Sequence, residues 1–335
     1  MQKIIVLDEH LIREHLTYTK VIELVQAAFA ADALGTVSTF PVVGRPFPNR
    51  DANFGIKSSY LKVAPEILGG GSGEVLGLKT GGYWARNAEH GLSGHHSVIV
   101  LTDPLTGMTS AVVAANVITN LRTAAGGAVA ARYLSRPESN SVAVIGAGEQ
   151  AHAQLEALLE IRPIQTVHVW ARRSEAAKDY QKIWQHKGLR VEVSETPEAA
   201  VRQADIVVTT TPSREPLIQK AWVKAGTHLN AIGSDSVGKQ ELEAALVAAS
   251  KLVVDKIQQS ITIGEMQQPL EQGLMKQEDI YAELGELCAG KKPGRANAEE
   301  LTVFDSSGTS LQDMVVAGYL LELAKREGLG TTIEV

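Results

Sequence analysis

The stretch Ser141-Val142-Ala143-Val144-Ile145-Gly146-Ala147-Gly148-Glu149-Gln150-Ala151 constrains the fold of this chain more than any other. A short apolar run rich in β-branched residues breaks into Gly-x-Gly-x-x-Ala and continues into the amphipathic segment 152–161. Strand, tight turn and helix in that order match the turn at which a helix N-terminus meets a dinucleotide pyrophosphate. In such a turn Gly146 supplies the bend, Gly148 lets the backbone approach the phosphates, and Ala151 allows the helix to pack closely on the strand. Short glycine patterns also occur in plain strand-turn-helix units, so the turn takes its meaning from the chain beyond residue 161. There the pattern alternates: strands are expected at 166–170, 190–193, 204–211, 228–232 and 251–255, with helical stretches that include 174–187 and 239–250. That succession predicts a doubly wound parallel sheet of the Rossmann type, the setting the glycine turn requires.

The first third of the chain reads differently. Residues 3–7 predict a strand, and 19–34 a helix with Thr19 as its cap and Gly35 as its stop. Short β-rich segments then recur at 36–43, 52–60, 74–83, 95–102 and 108–114, separated by turn clusters such as 69–73 and 103–107. Five of these in succession predict an antiparallel β-rich sheet or partial barrel. A helix over 117–134, very rich in small residues, reads as the hinge. The expected organisation is a substrate-binding and dimerisation domain of residues 1–120 and 311–335, and a dinucleotide-binding domain of residues 121–310.

The formal net charge of −6 over 335 residues gives no basic footprint for nucleic acid or an anionic membrane. An anionic ligand must then be held by a few local cations, and several sit at unusual places. Arg45 follows Pro41-Val42-Val43-Gly44, while Lys57 and Lys79 interrupt strand-like runs. A lysine flanked by glycine and small residues can turn into a cavity and act as a point charge or as a proton donor with a lowered pKa. Gly81-Gly82 after Lys79 leaves room for a ligand or for another backbone. Arg122 can fork onto a carboxylate or form a structural ion pair.

His90, His95 and His96 lack the cysteines or paired carboxylates of a metal set, so no metal is expected, and His95 reads as a hydrogen-bonding residue near the site. The single cysteine, Cys288, rules out an intrachain disulfide and suits a reducing cytoplasm. No apolar span is long enough for a membrane helix.

Two positions at strand ends bear on the cofactor and the chemistry. The second strand of the parallel sheet ends Trp170-Ala171-Arg172-Arg173, with two guanidiniums where an NAD site usually carries an Asp or Glu, so NADP(H) is preferred and NAD(H) remains open. After the fifth strand, Gly233-Ser234-Asp235 puts a carboxylate where this fold binds ligands. The alternative role for Asp235, capping a helix near Lys239, would place it four residues early.

The motifs Gly77-Leu78-Lys79, Asn120-Leu121-Arg122-Thr123-Ala124-Ala125, Gly146-Ala147-Gly148-Glu149-Gln150-Ala151, Gly233-Ser234-Asp235 and Ser307-Gly308-Thr309-Ser310-Leu311-Gln312-Asp313 together resemble the ornithine cyclodeaminase/mu-crystallin family over nearly the whole chain. The resemblance implies a homodimer formed through the β-rich domain and an active site between the domains. It implies that Arg45, Lys79 and Arg122 hold a substrate α-carboxylate and that Asp235 exchanges a proton at the reacting nitrogen. The cofactor-binding set expected is Gly146, Gly148, Gln150, Ala151, Arg172, Arg173, Thr210 and Gly308.

Within the family, Lys57 and the segment 238–265 look most like the reductases that convert iminosuccinate to aspartate. A cation at 57 suits a second carboxylate and not a diamine. The expected activity is therefore NAD(P)H-dependent reduction of a small 2-imino acid, with Lys79 and Asp235 catalytic. The rivals are reduction of Δ1-pyrroline-2-carboxylate, ornithine cyclodeamination, and a mu-crystallin-like NADPH-dependent binding protein.

Overall fold

The computed structural model describes residues 2–335. The chain divides into two compact units, one of Met1–Arg122 with Thr309–Val335 and the other of Thr123–Gly308, the division falling within the helix Asn116–Leu134.

The first unit is built on one sheet. Its strands are β1 (Lys3–Leu7), β2 (Val37–Thr39), β3 (Val43–Phe47), β4 (Ala52–Lys62), β5 (Glu74–Trp84), β6 (His95–Thr102) and β7 (Thr109–Ala114). The chain's last strand, Thr331–Glu334, pairs with β1 at one end of the sheet. From there the order is β1, β7, β6, β5, β4, β2, with β3 also paired to β4. The pairs among β2 to β7 are antiparallel, as expected for the five β-rich segments, while β1, which lies outside those segments, runs parallel to β7. The reason is topological: residues 8–36, largely helical, separate β1 from β2, so β1 finds its partner in a strand distant in sequence.

The helix Tyr18–Ala33 starts one residue before the position expected, and its cap is Thr17, whose hydroxyl accepts from Lys20 N. Thr17 has the extended backbone of a cap, whereas Thr19 already lies inside the helix. Leu16 and Val21, both buried, occupy the positions of a hydrophobic staple around that start. A short helix, Glu9–His15, capped by Asp8, was not anticipated.

Register decides which side chains of this sheet meet. Lys57 pairs with Lys79, Lys79 with Ile99, Ile99 with Val113 and Val113 with Leu7, so these five share one face. Ile99, Val113 and Leu7 are buried on it. Gly77 lies one step along the same face, where a Cβ would come within 3.0 Å of Met314 Sδ on the helix Ser310–Glu327. The opposite face carries Val6, Leu78, Val98, Val100 and Val112, all half-buried.

The second unit holds eight parallel strands: β8 (Ser141–Ile145), β9 (Thr166–Trp170), β10 (Arg190–Val193), β11 (Ile206–Thr209), β12 (His228–Ala231), β13 (Lys251–Val254), β14 (Ala282–Glu283) and β15 (Thr302–Asp305). Their order is β10-β9-β8-β11-β12-β15-β13-β14. Along β8, Val142 and Val144 join one core with Tyr180 and Trp184, while Ala143 and Ile145 join another with Leu229 and Val247. A strand buried on both faces is the mark of a doubly wound sheet, and this unit has the Rossmann-type architecture the sequence predicted. One helical expectation fails. Residues 239–250 hold only the short helix Ala244–Ala248, because Leu242 is drawn into a parallel bridge with Ile218. No helix among the described residues is long and apolar enough to cross a membrane.

Candidate active site

In the first unit, the cross-strand pair Lys57 and Lys79 lies beside Arg122 and a fourth charged group, Asp313. Lys79 Nζ donates to Asp313 Oδ1 at 2.9 Å and to Thr119 Oγ1 at 3.3 Å. Arg122 Nε donates to the same Asp313 oxygen at 3.0 Å, and Arg122 Nη1 to Gln312 Oε1 at 3.0 Å. Lys79, Arg122, Gln312 and Asp313 are all buried.

Burial is the main reason the Lys79 ammonium is brought down to about 7, with the Arg122 and Lys57 charges acting the same way and Asp313 opposing them. Burial works against the Asp313 carboxylate too, but Arg122 and Lys79 hold it below its ordinary value. His95 faces the same group from the start of β6. Burial, then Lys79 and Arg122, lower it to about 4, so it is neutral at pH 7. The cluster therefore carries three basic side chains against one carboxylate.

Arg45 lies elsewhere. It is exposed in β3 opposite Phe54, three residues along β4 from Lys57, and strand alternation directs the two to opposite faces. Gly81 and Gly82 make room for backbone. A Cβ at Gly81 would meet His96 O at 2.1 Å, and one at Gly82 would meet Asn53 O at 1.9 Å.

Asp313 and Gln312 were not singled out as site residues, although both stand in the conspicuous 307–313 motif. The signal was available. Asp313 is the only charged residue between Ser310 and Leu321, and two buried cations require a counter-ion.

In the second unit the expected cofactor residues gather at the carboxyl ends of parallel strands. Gly146 follows β8 with φ +109°, and a Cβ there would stand 2.6 Å from Thr210 Oγ1 at the end of β11. Gly148 caps the helix Glu149–Leu159 without a side-chain bond, and a Cβ on it would meet nothing within 4 Å. Ala151 is buried against the sheet, and Gln150 is partly buried in the same first turn. Arg172 and Arg173 are exposed just beyond β9, where Arg173 precedes the helix Ser174–His186. An open, glycine-lined helix N-terminus at this edge fits a pyrophosphate.

Asp235 follows β12. Its side chain is half exposed, 2.6 Å from Lys239 Nζ, and accepts from Ser236 Oγ at 3.1 Å. With no helix starting at Lys239, the capping role considered for Asp235 falls away.

Three wholly buried carboxylates lie behind these loops. Glu241 accepts from Thr209 Oγ1 at 2.6 Å, Thr211 N at 2.6 Å, Thr211 Oγ1 at 2.7 Å and Gly233 N at 2.8 Å, tying the loop after β11 to the loop after β12. Glu265 accepts from Glu241 N and Leu242 N, and Asp305 from Glu265 N and Ser260 Oγ. Burial raises all three, Asp305 to about 7. Next to them, Asp255 accepts from Gly308 N and Ser307 Oγ, fixing the turn that carries Gly308. Burial pushes the Cys288 thiol up to about 12, which leaves it inert as a nucleophile. Among the described residues no three His, Cys, Asp or Glu side chains form a metal-binding group.

A Rossmann-type unit with an open glycine turn, together with a first unit that buries Lys79 and Arg122 around one carboxylate with Lys57 half-buried beside them, defines a dinucleotide-dependent enzyme of small anionic substrates as the class. The chain belongs to the ornithine cyclodeaminase/mu-crystallin family, whose profile matches residues 2–328. It is 38% identical over 313 residues to the iminosuccinate reductase of Paracoccus denitrificans, covering 93% of this chain and 94% of that one. An archaeal alanine dehydrogenase dimer solved with bound NAD is 34% identical, with a TM-score of 0.92 over 99% of each chain. The Thermococcus litoralis Δ1-pyrroline-2-carboxylate reductase, solved with NADH and L-proline, is 30% identical, with a TM-score of 0.92 over 98% of this chain and 100% of that one.

Proposed function

We propose that this protein is an NAD(P)H-dependent imine reductase acting on a small 2-imino acid, with iminosuccinate, the precursor of aspartate, as its substrate. The observation that carries this reading is the cluster in which buried Lys79 and Arg122, with half-buried Lys57 beside them, gather around the carboxylate of Asp313. Buried positive charge in excess is costly unless an anion enters to compensate it. An α-carboxylate engages Arg122 and Lys79. A second, distal carboxylate accounts for Lys57, which neither an imine of pyruvate nor the ring of pyrroline-2-carboxylate would use.

A reduced nicotinamide, when bound, supplies the hydride that reaches the imine carbon. The chain's own part is to orient the substrate by its carboxylates and to provide the proton for the imine nitrogen. Lys79, near 7, is matched to that transfer at neutral pH. Asp235, held by Lys239, assists at the reacting nitrogen. The family resemblance would also put Arg45 on the α-carboxylate, but strand register places it on the face opposite Lys57, so it is left out of this set.

Gly146, Gly148, Gln150, Ala151, Thr210 and Gly308 are assigned to the cofactor, with Arg172 and Arg173 at the 2′-phosphate of NADP(H) as the preferred form. Assembly is proposed as a homodimer through the apolar face that carries Val6, Val98, Val100 and Val112. The single, half-buried Cys288 suits a reducing cytoplasm.

The test is cofactor oxidation, followed with NADPH and NADH in turn, on adding oxaloacetate with ammonia, pyruvate with ammonia, pyrroline-2-carboxylate, or ornithine. Fastest net oxidation with oxaloacetate and ammonia is expected. Net oxidation with pyrroline-2-carboxylate or pyruvate alone would move the substrate assignment. Ornithine turnover without net oxidation, or cofactor binding without turnover, would replace the reading with cyclodeamination or with a binding protein.

A further inference from the structure

The arrangement around Asp313 goes further than charge balance. One oxygen, Oδ1, takes both the Lys79 ammonium and the Arg122 Nε, while Oδ2 is buried with no hydrogen-bond partner. The carboxylate lies in the first turn of the helix Ser310–Glu327, where the helix dipole favours negative charge. The neighbouring Gln312 anchors the other side of Arg122 through Oε1, which also accepts from Thr309 N at 3.1 Å. Two N–H groups of Lys79 are spent on Asp313 and Thr119, and an ammonium has three. One proton is left for a ligand.

We propose that Asp313 is the positioning residue of this site, its shared oxygen fixing Lys79 and Arg122 together and keeping Lys79 in the proton-donating form. The proposal rests on the reading of Lys79 as the donor to an imine. In that step the imine nitrogen takes the Lys79 proton as its carbon takes the cofactor hydride, and the neutral amine of Lys79 is reprotonated from solvent. The charged and titratable groups facing Lys79 are Asp313, Arg122, Lys57 and His95. Of these only Asp313 favours the ammonium. Removing its charge leaves Lys79 among cations.

The test is a titration of lysine-labelled protein by carbon NMR, without substrate, the Lys79 signal being assigned by its loss in Lys79→Arg. Asp313→Asn should lower the Lys79 midpoint by about one to two pH units, the equivalent of one charged hydrogen bond. The pH above which turnover declines should fall with it, so that activity lost at pH 7 returns in part at lower pH. Asp313→Glu, which keeps the charge, should hold the midpoint near the wild-type value.

An unmoved midpoint in folded Asp313→Asn overturns the proposal. If that variant does not fold, the wild-type Asp313 carboxyl signal decides: it should shift at the Lys79 midpoint, and independent titrations overturn the proposal. A wild-type protein that reduces no imino acid would remove the functional reading while these titrations still judge Asp313.

Discussion

Lys79 is strand-borne, buried and close to neutral pH in its titration, and this makes the pH dependence of the reaction a sharp readout. As a proton donor it must start protonated, so turnover in the reductive direction should fall as pH rises through about 7. Lys79→Ala should lower turnover by orders of magnitude with cofactor affinity retained, which single-turnover kinetics and cofactor titration would check. Asp235→Ala should lower turnover while leaving folding intact, and near-normal turnover would take Asp235 out of the chemistry. Lys57 separates substrates. Losing one charge-assisted bond costs about 1.5–3 kcal/mol, or roughly 10- to 150-fold in efficiency. Lys57→Met should damage iminosuccinate reduction by about that factor and spare pyrroline-2-carboxylate. An unchanged ratio of the two efficiencies would leave Lys57 without a substrate role.

The ends of the parallel strands hold two further tests. Arg172 and Arg173 stand just beyond β9 in place of an acidic residue, so Arg172→Ala should raise KM for NADPH while leaving NADH nearly unaffected. Equal losses with both cofactors would remove Arg172 from the 2′-phosphate. Behind the strand ends, the Asp305 carboxyl is raised by burial to about 7 from an ordinary value of 3.8. The folded state then holds a proton that the unfolded chain gives up, so the Asp305 contribution to stability is full below about pH 4 and is lost as pH rises through about 7. His228, lowered by burial to about 3, acts in the opposite sense over part of that range, so the comparison must be with a variant. Asp305→Asn imitates the protonated carboxyl. Its melting temperature relative to wild type should rise between pH 4 and 7, and a difference independent of pH would contradict the assignment.

At the scale of the whole molecule, the half-buried apolar face of the first unit's sheet is the proposed dimer contact. Val100→Glu should shift sedimentation from dimer to monomer, whereas an unaffected dimer would place the contact elsewhere. Much of this molecule was written locally. The glycine turn, the alternation of strands and helices after it and the turn clusters before it are short-range signals, set by backbone sterics and by apolar periodicity, and these fixed the fold class. The same signals marked Arg45, Lys57 and Lys79 as cations in unusual places, and Arg122 as a fork for a carboxylate or a structural ion pair.

What the sequence left open depended on pairing between distant residues. That Lys57 stands opposite Lys79 is a matter of strand register. That Arg45 falls on the other face follows from the same pairing, and that Gly81 and Gly82 accommodate neighbouring backbone is a matter of strand packing. Asp313 meets Lys79 across 234 positions and Arg122 across 191. A local pattern can show that a buried charge needs a partner. Only the folded chain, by bringing remote segments into one low-dielectric volume, decides which residue the partner is and how far each group's protonation is shifted.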